Sequence, residues 1–184
     1  YSPQDLKHPI KPRSPYGASK AAARHIVKVY RESYNIYAVH SILFNHEGLR
    51  RGEEFVTRKI TKKVAEIKHK IDAGESFETL KLGNVDSKRD WSDSRDFVKG
   101  IWMMLNQDEP KDYLLASGEV HSVKEFVSLA FQNAGIAGLW SGEGLDAKFR
   151  VFKTTHRLRR STKNGLGQQK FPYFTETHLL LKKN

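Results

Sequence analysis

The chain has 184 residues, 38% hydrophobic and 29% charged, which suits one soluble domain or one domain with a piece of another. It contains no cysteine, which excludes disulfides and thiolate metal sites and fits a cytoplasmic location. The formal charge of +11 is uneven: Ala147–Asn184 holds ten Lys or Arg against one acid, Glu176, while residues 1–146 carry only +2.

Residues 1–13 are rich in proline and polar groups and read as a loop. No basic region followed by an apolar run marks a signal peptide there. Ser14 offers an N-cap and Pro15 the first position of a helix expected from about Tyr16 to Ser33. Ala22, Ile26, Val29 and Tyr30 form its apolar stripe. Ile36–Asn45 predicts a strand, almost continuously apolar at Ser41–Phe44, as in a buried parallel sheet. A polar loop with Gly48 and Gly52 follows. A second helix is expected over about Phe55–Ala73, with Val56, Ile60, Val64, Ile67 and Ile71 at helical spacing and Gly74 closing it. Leu80–Leu82 reads as a short strand and Gly83-Asn84 as a turn.

A third helix is expected from about Ser94 to Gln107, with Phe97, Val98, Ile101, Trp102 and Leu105 inward. Tyr113–Ala116 is a further strand. Ser122 and Glu125 form a capping box ahead of a helix over Val123–Ala134. The alternation of helix and strand predicts an α/β fold with part of a parallel sheet. After Gly135 the texture changes, and residues 137–184 are expected to be a poorly ordered basic tail. Such a block reads as a solvated segment rather than a nucleic-acid contact. No apolar run approaches the roughly 20 residues of a membrane span, so no membrane partner is expected.

Tyr16 and Lys20 lie four apart, on one face of the first helix. Tyrosine is a poor base near neutrality because its ordinary pKa is about 10, and a neighbouring ammonium favours the phenolate. Such a phenolate can take a proton from an alcohol whose carbon is being oxidised. The small Gly17, Ala18 and Ser19 would let a flat cofactor approach. The same spacing is also common on ordinary surface helices.

The surrounding residues narrow the reading. SPYGASKAAA resembles the Tyr-x-x-x-Lys segment of the short-chain dehydrogenase/reductase superfamily, in its extended, sugar-nucleotide branch. LFNHEGLRRGEEFVTRKIT (Leu43–Thr61), LGNVDSKRDW (Leu82–Trp91) and the stretch Phe97–Phe131 resemble the GDP-mannose 4,6-dehydratases in particular. The resemblance covers about residues 10–146. It implies that residues 1–136 are part of a Rossmann-like NAD(P)-binding sheet, interleaved with a small mixed α/β region that binds a GDP-sugar.

Roles follow from that resemblance. Tyr16 would be the catalytic base and Lys20 its partner, also holding the nicotinamide ribose of NADP. Asn45 and His46 would lie beside the nicotinamide and the substrate diphosphate. Arg51, next to Arg50, would contact NADP from a loop reaching a neighbouring subunit of a homo-oligomer. Val56 and Lys59 would meet the nucleotide of GDP-mannose, Gly83 and Asn84 the guanine, and Arg89 the nucleotide phosphates. The family's Ser-Pro after Asn-His-Glu is here Gly48-Leu49, which leaves the loop freer. A Gly-rich dinucleotide motif is not among the 184 residues, nor is the family's Ser/Thr-x-Glu before the tyrosine. The chain is therefore expected to be a fragment that is inactive alone. The alternatives are another NAD(P)-dependent nucleotide-sugar epimerase, dehydratase or reductase, or a non-catalytic product with a basic tail.

Overall fold

The computed structural model describes residues 4–152. In chain order the elements are α1 (Pro15–Tyr34), β1 (His40–Leu43), β2 (Asn45–Glu47), α2 (Val56–Ala73), β3 (Lys88–Arg89), β4 (Trp91–Asp93), α3 (Ser94–Leu105), β5 (Asp112–Leu115), β6 (His121–Ser122), α4 (Val123–Asn133), β7 (Gly138–Ser141) and β8 (Lys148–Val151), with a 3-10 turn at Gly144–Asp146. They divide into two units. Of the described residues, the first takes in 4–46 together with Trp91–Gly118, and the second Glu47–Asp90 together with 119–152.

In the first unit, β1 and β5 pair in parallel, His40 opposite Asp112 and Leu43 opposite Leu115. Alternate strand residues face opposite sides. Val39, Leu43, Tyr113 and Leu115 pack with Phe97, Ile101 and Met104 of α3. Asp112 turns the other way and meets Arg24 and Arg31 of α1. The pair of strands is thus sandwiched between α1 and α3, the three-layer arrangement of an α/β fold.

The helix α1 starts as its caps dictate: the Ser14 side chain accepts from the Gly17 amide and Pro15 occupies the first turn. Gly17 is small for a local reason, since a Cβ there would press on Ser14 Oγ and Pro12 Cβ at 3.3 and 3.4 Å. The apolar stripe expected to dock the helix does not do so. Ile26, Val29 and Tyr30 are all more than half exposed, and α1 has no buried residue. The helix turns Gly17, Ala21, Arg24, Val27 and Arg31 to partly buried positions instead. The long strand expected over Ile36–Asn45 is also corrected. Only His40–Leu43 pairs with β5; after Phe44, whose amide still bonds the Leu115 carbonyl, the chain changes partner and β2 pairs with β4. On α3, Phe97 and Met104 are buried as core, while Val98, Trp102 and Leu105, expected inward, are exposed.

The second unit is built on two helices with conventional apolar faces. Ile60, Val64 and Ile67 of α2 and Val123, Val127 and Phe131 of α4 are buried. α2 ends at Gly74 in the left-handed region (φ 72°), and α4 opens with the full Ser122/Glu125 capping box. Leu80–Leu82 forms no strand. Gly138–Ser141 and Lys148–Val151, expected within the poorly ordered tail, form an antiparallel pair, with Gly138 opposite Val151. They pack on α4: the Phe149 ring stacks on Phe131 at 4.6 Å, and Trp140 Nε1 donates to Ser128 Oγ at 2.8 Å. Gly138 is required there, because a Cβ would fall 2.4 Å from the Phe149 ring. The rest of the basic tail lies outside the described residues. Among the described residues no helix is long and apolar enough to cross a membrane.

Candidate active site

Tyr16 and Lys20 sit in the first two turns of α1. Lys20 Nζ lies 5.4 Å from the centroid of the Tyr16 ring, over its face. A cation at that range is attracted to the negative face of the aromatic ring. The Tyr16 side chain is 72% exposed, so its hydroxyl is open to a ligand. This pair is brought together as expected.

Asn45 and His46 begin β2, directly after the carboxyl end of β1, where open α/β sheets place their ligands. Asn45 is exposed. The His46 ring stacks on Phe97 at 5.0 Å, and its Nδ1 lies 2.9 Å from the Phe44 carbonyl. A carbonyl only accepts, so Nδ1 carries a proton and donates it to Phe44, which fixes the orientation of the ring. The stacking on Phe97 could not be read from sequence, because it joins β2 to a helix some fifty residues on.

The remaining candidates belong to the second unit. Arg51 lies with its guanidinium carbon 3.6 Å above the Phe55 ring and its Nε 3.2 Å from Glu47 Oε2. Arg50 beside it is exposed. Val56 opens α2, whose N-cap residue Phe55 offers no side-chain bond and whose first turn holds no acid. The helix start therefore has no side-chain cap from Phe55, with the Glu47 carboxylate bound to Thr57 in the first turn, and exposed Lys59 adds a positive charge beyond it. Such an arrangement suits an anion. Gly83 and Asn84 are exposed; Asn84 Oδ1 accepts from the Asp86 amide at 2.9 Å, which fixes the turn. Nothing lies within 4 Å of a Cβ built on Gly83, so its backbone is open to approach. Arg89, in β3, is exposed and donates to the Lys88 carbonyl.

The sequence reading missed Glu47. It is buried, at 8% exposure, and accepts a 2.6 Å hydrogen bond from Thr57 Oγ1 besides facing Arg51. The Glu47/Arg51 spacing of four was its one signal. A groove of about 1010 Å³ in the first unit holds none of the candidate residues. It is lined by Arg24, Arg31 and Asp112, at the amino ends of the strands, away from the carboxyl ends where such folds bind ligands. No cluster of metal-ligating side chains occurs among the described residues.

Comparison with known proteins bears on the family and the fold. Residues 1–167 match the profile of the family described as GDP-mannose 4,6 dehydratase. The GDP-mannose 4,6 dehydratase of Drosophila melanogaster is 51% identical over 145 residues, 79% of this chain and 35% of that protein. That of Homo sapiens is 51% identical over 141 residues, 77% of this chain and 37% of that protein. The chain thus spans well under half the length of these relatives. Among solved structures, RMD from Pseudomonas aeruginosa complexed with NADPH superposes with a TM-score of 0.67 at 24% identity, covering 73% of this chain and 45% of that one. The dTDP-glucose 4,6-dehydratase of Bacillus anthracis in complex with NAD gives 0.63 at 22% identity, covering 72% and 40%. At such identities the likeness shows the fold, which is Rossmann-like. With half the chain or more matched by one profile, the chain belongs to the GDP-mannose 4,6-dehydratase family.

Proposed function

We propose that this chain carries the Tyr–Lys pair and the nucleotide-sugar contacts of an NADP-dependent GDP-mannose 4,6-dehydratase, forming GDP-4-keto-6-deoxymannose on the route to GDP-fucose. The observation that carries the reading is Lys20 poised over an exposed Tyr16 in a chain of this family. The residues fit a nicotinamide dinucleotide: Lys20 is exposed for ribose hydroxyls, and Arg51 keeps its terminal guanidinium nitrogens for a phosphate. When bound, that cofactor supplies the two-electron acceptor at C4 of the sugar and the donor at C6.

The chain's own residues handle protons and charge. Tyr16, as phenolate, takes the C4 hydroxyl proton, and the Lys20 ammonium stabilises the phenolate. In this reading His46, which follows the carboxyl end of β1, lies beside the nicotinamide and the substrate diphosphate. The amino end of α2 with Lys59, and Arg89, hold the diphosphate; Gly83 and Asn84 present backbone to the guanine. Loss of water across C5–C6 needs a base at C5, a role none of these residues takes. Oxidation at C4 and reduction at C6 cancel, so the net change is loss of water and the enzyme is a lyase. A homo-oligomer belongs to the same reading; the exposed Ile26, Val29 and Tyr30 give it apolar surface to cover.

Calorimetric titration of the chain tests the substrate half: GDP-mannose and GDP should bind, and UDP-glucose far more weakly. Lys59→Ala and Arg89→Ala should each weaken GDP-mannose about ten- to a hundredfold, in line with the loss of one charge-assisted bond. Equal affinity for UDP-glucose would sink the assignment. In turnover by a polypeptide that joins these residues to a dinucleotide-binding half, Tyr16→Phe should lower kcat by about 10²–10⁴.

A further inference from the structure

Glu47 is a charged group in a buried position, and a buried charge needs partners. One oxygen, Oε2, serves two. It accepts from Thr57 Oγ1 in the first turn of α2 at 2.6 Å, and it lies 3.2 Å from Arg51 Nε. The Nε–H itself makes no aligned hydrogen bond, so the contact to Arg51 is an ion pair. Phe55 closes the other side, its ring face 3.6 Å from the guanidinium carbon. Carboxylate and ring together restrict a side chain that otherwise samples many rotamers. The terminal nitrogens of Arg51, with four N–H donors, have no hydrogen-bond partner among the described residues.

We propose that Glu47 is a positioning residue which, with Phe55 and Thr57, holds the Arg51 guanidinium as a preset two-pronged fork for a phosphate group beside the amino end of α2. Assigning that phosphate to the dinucleotide rests on the function proposed above; the fork itself does not. Arg is suited to this because its planar donors match two phosphate oxygens at once. Glu47 also offsets the charge of Arg51, so geometry and charge act in opposite directions, and exposed Arg50 supplies the uncompensated charge. The shared oxygen further ties the fork to α2, so that a ligand ordering one orders the other.

The opposition gives a decisive test on the full 184-residue chain, with inorganic pyrophosphate as probe. The readouts are the dissociation constant and the Arg51 Nε–Hε resonance in ¹⁵N NMR. Pyrophosphate should move that resonance, and Arg51→Lys should weaken binding at least about tenfold. Glu47→Gln should weaken it about three- to tenfold and collapse the Hε signal toward that of a mobile arginine. Tighter or equal binding in Glu47→Gln would mean that charge compensation is all Glu47 does, and would overturn the proposal. So would an Arg51 resonance indifferent to pyrophosphate. If circular dichroism shows Glu47→Gln unfolded, Phe55→Leu decides: about a two- to threefold loss supports the fork, and unchanged affinity refutes it. Failure to bind GDP-mannose with the pyrophosphate signature intact would remove the dehydratase reading alone.

Discussion

The two units hold their helices by different means. In the second, α2 and α4 each bury an apolar stripe, and even the β7–β8 pair is fastened by Phe131, Phe149 and Trp140. In the first, the helix that carries Tyr16 and Lys20 has no buried residue. It is tied down by charge. Asp112, at the head of β5, lies between Arg24 and Arg31, 3.0 Å from each, and Arg31 also donates to the Ala38 carbonyl. Burial of apolar area gives broad, non-directional stability, whereas one carboxylate between two arginines fixes a position but depends on every member of the set. The helix proposed to do chemistry is therefore the one whose placement a single substitution can undo.

The largest effect should come from the second unit. Phe131 is 2% exposed and stacked on Phe149. Phe131→Ala should cost about 3–5 kcal/mol and strip hydrogen-exchange protection from α4 and β7. A cost below about 1 kcal/mol would contradict the packed core. Next comes Asp112→Ala, which leaves two arginines facing each other without their carboxylate. Both are largely shielded, so about 2 kcal/mol is expected, less than for a fully dry triad. Protection should fall along α1 while α2 and α4 stay unchanged. Equal loss in α2 would erase the contrast between the units.

Acid should separate the units as well. Burial pushes the Asp112 carboxyl up, but hydrogen bonds from Arg31 and Arg24 outweigh it and hold it below the ordinary 3.8. Its contribution is present above that value and is lost as pH falls through the folded-state pKa. His40, opposite Asp112 in the ladder, is held below its ordinary 6.5, by burial first and then by Arg24, Arg31 and Lys20 against the pull of Asp112. A histidine that resists protonation when folded stabilises the fold above 6.5 and loses that contribution as pH falls below it. Protection of β1 and α1 should thus decline in two stages on acidification. His40→Gln should remove the first stage, near 6.5, and Asp112→Asn the second, below 3.8. A single stage unaffected by either substitution would show that other carboxylates govern acid unfolding.

Local signals in the sequence located much of this fold. The Ser14-Pro15 start, Gly74 and the Ser122/Glu125 box act within one helical turn, so their meaning does not depend on what packs nearby. The Tyr16–Lys20 pair was legible for the same reason. What failed was the choice of face. On α3 the residues 97, 101 and 104 and the residues 98, 102 and 105 form two neighbouring apolar stripes, and only the sheet decides which is buried. On α1 the buried-side anchor is Arg24 and Arg31, whose partner Asp112 lies some eighty residues away. Glu47 escaped for a similar reason: its partner Thr57 is ten residues on, across a loop.

The two stripes of α3 allow the most discriminating measurement, and Trp102 on the outer one the smallest effect. Met104 is fully buried against Phe97 and Leu115, while Trp102, two residues earlier, is 64% exposed. Met104→Ala should cost about 2–5 kcal/mol, because a cavity opens in the core of the first unit. Trp102→Gln should change stability by less than about 0.5 kcal/mol in dilute solution, since an exposed side chain has little to lose. The comparison turns on concentration. If Trp102→Gln costs more than about 1 kcal/mol, and the cost grows with protein concentration, then a second copy of the chain covers this face and the charge-held unit gains in association the apolar burial it lacks alone. A small, concentration-independent effect leaves Asp112 and the Phe97–Met104–Leu115 core as what holds α1 and α3 on the sheet.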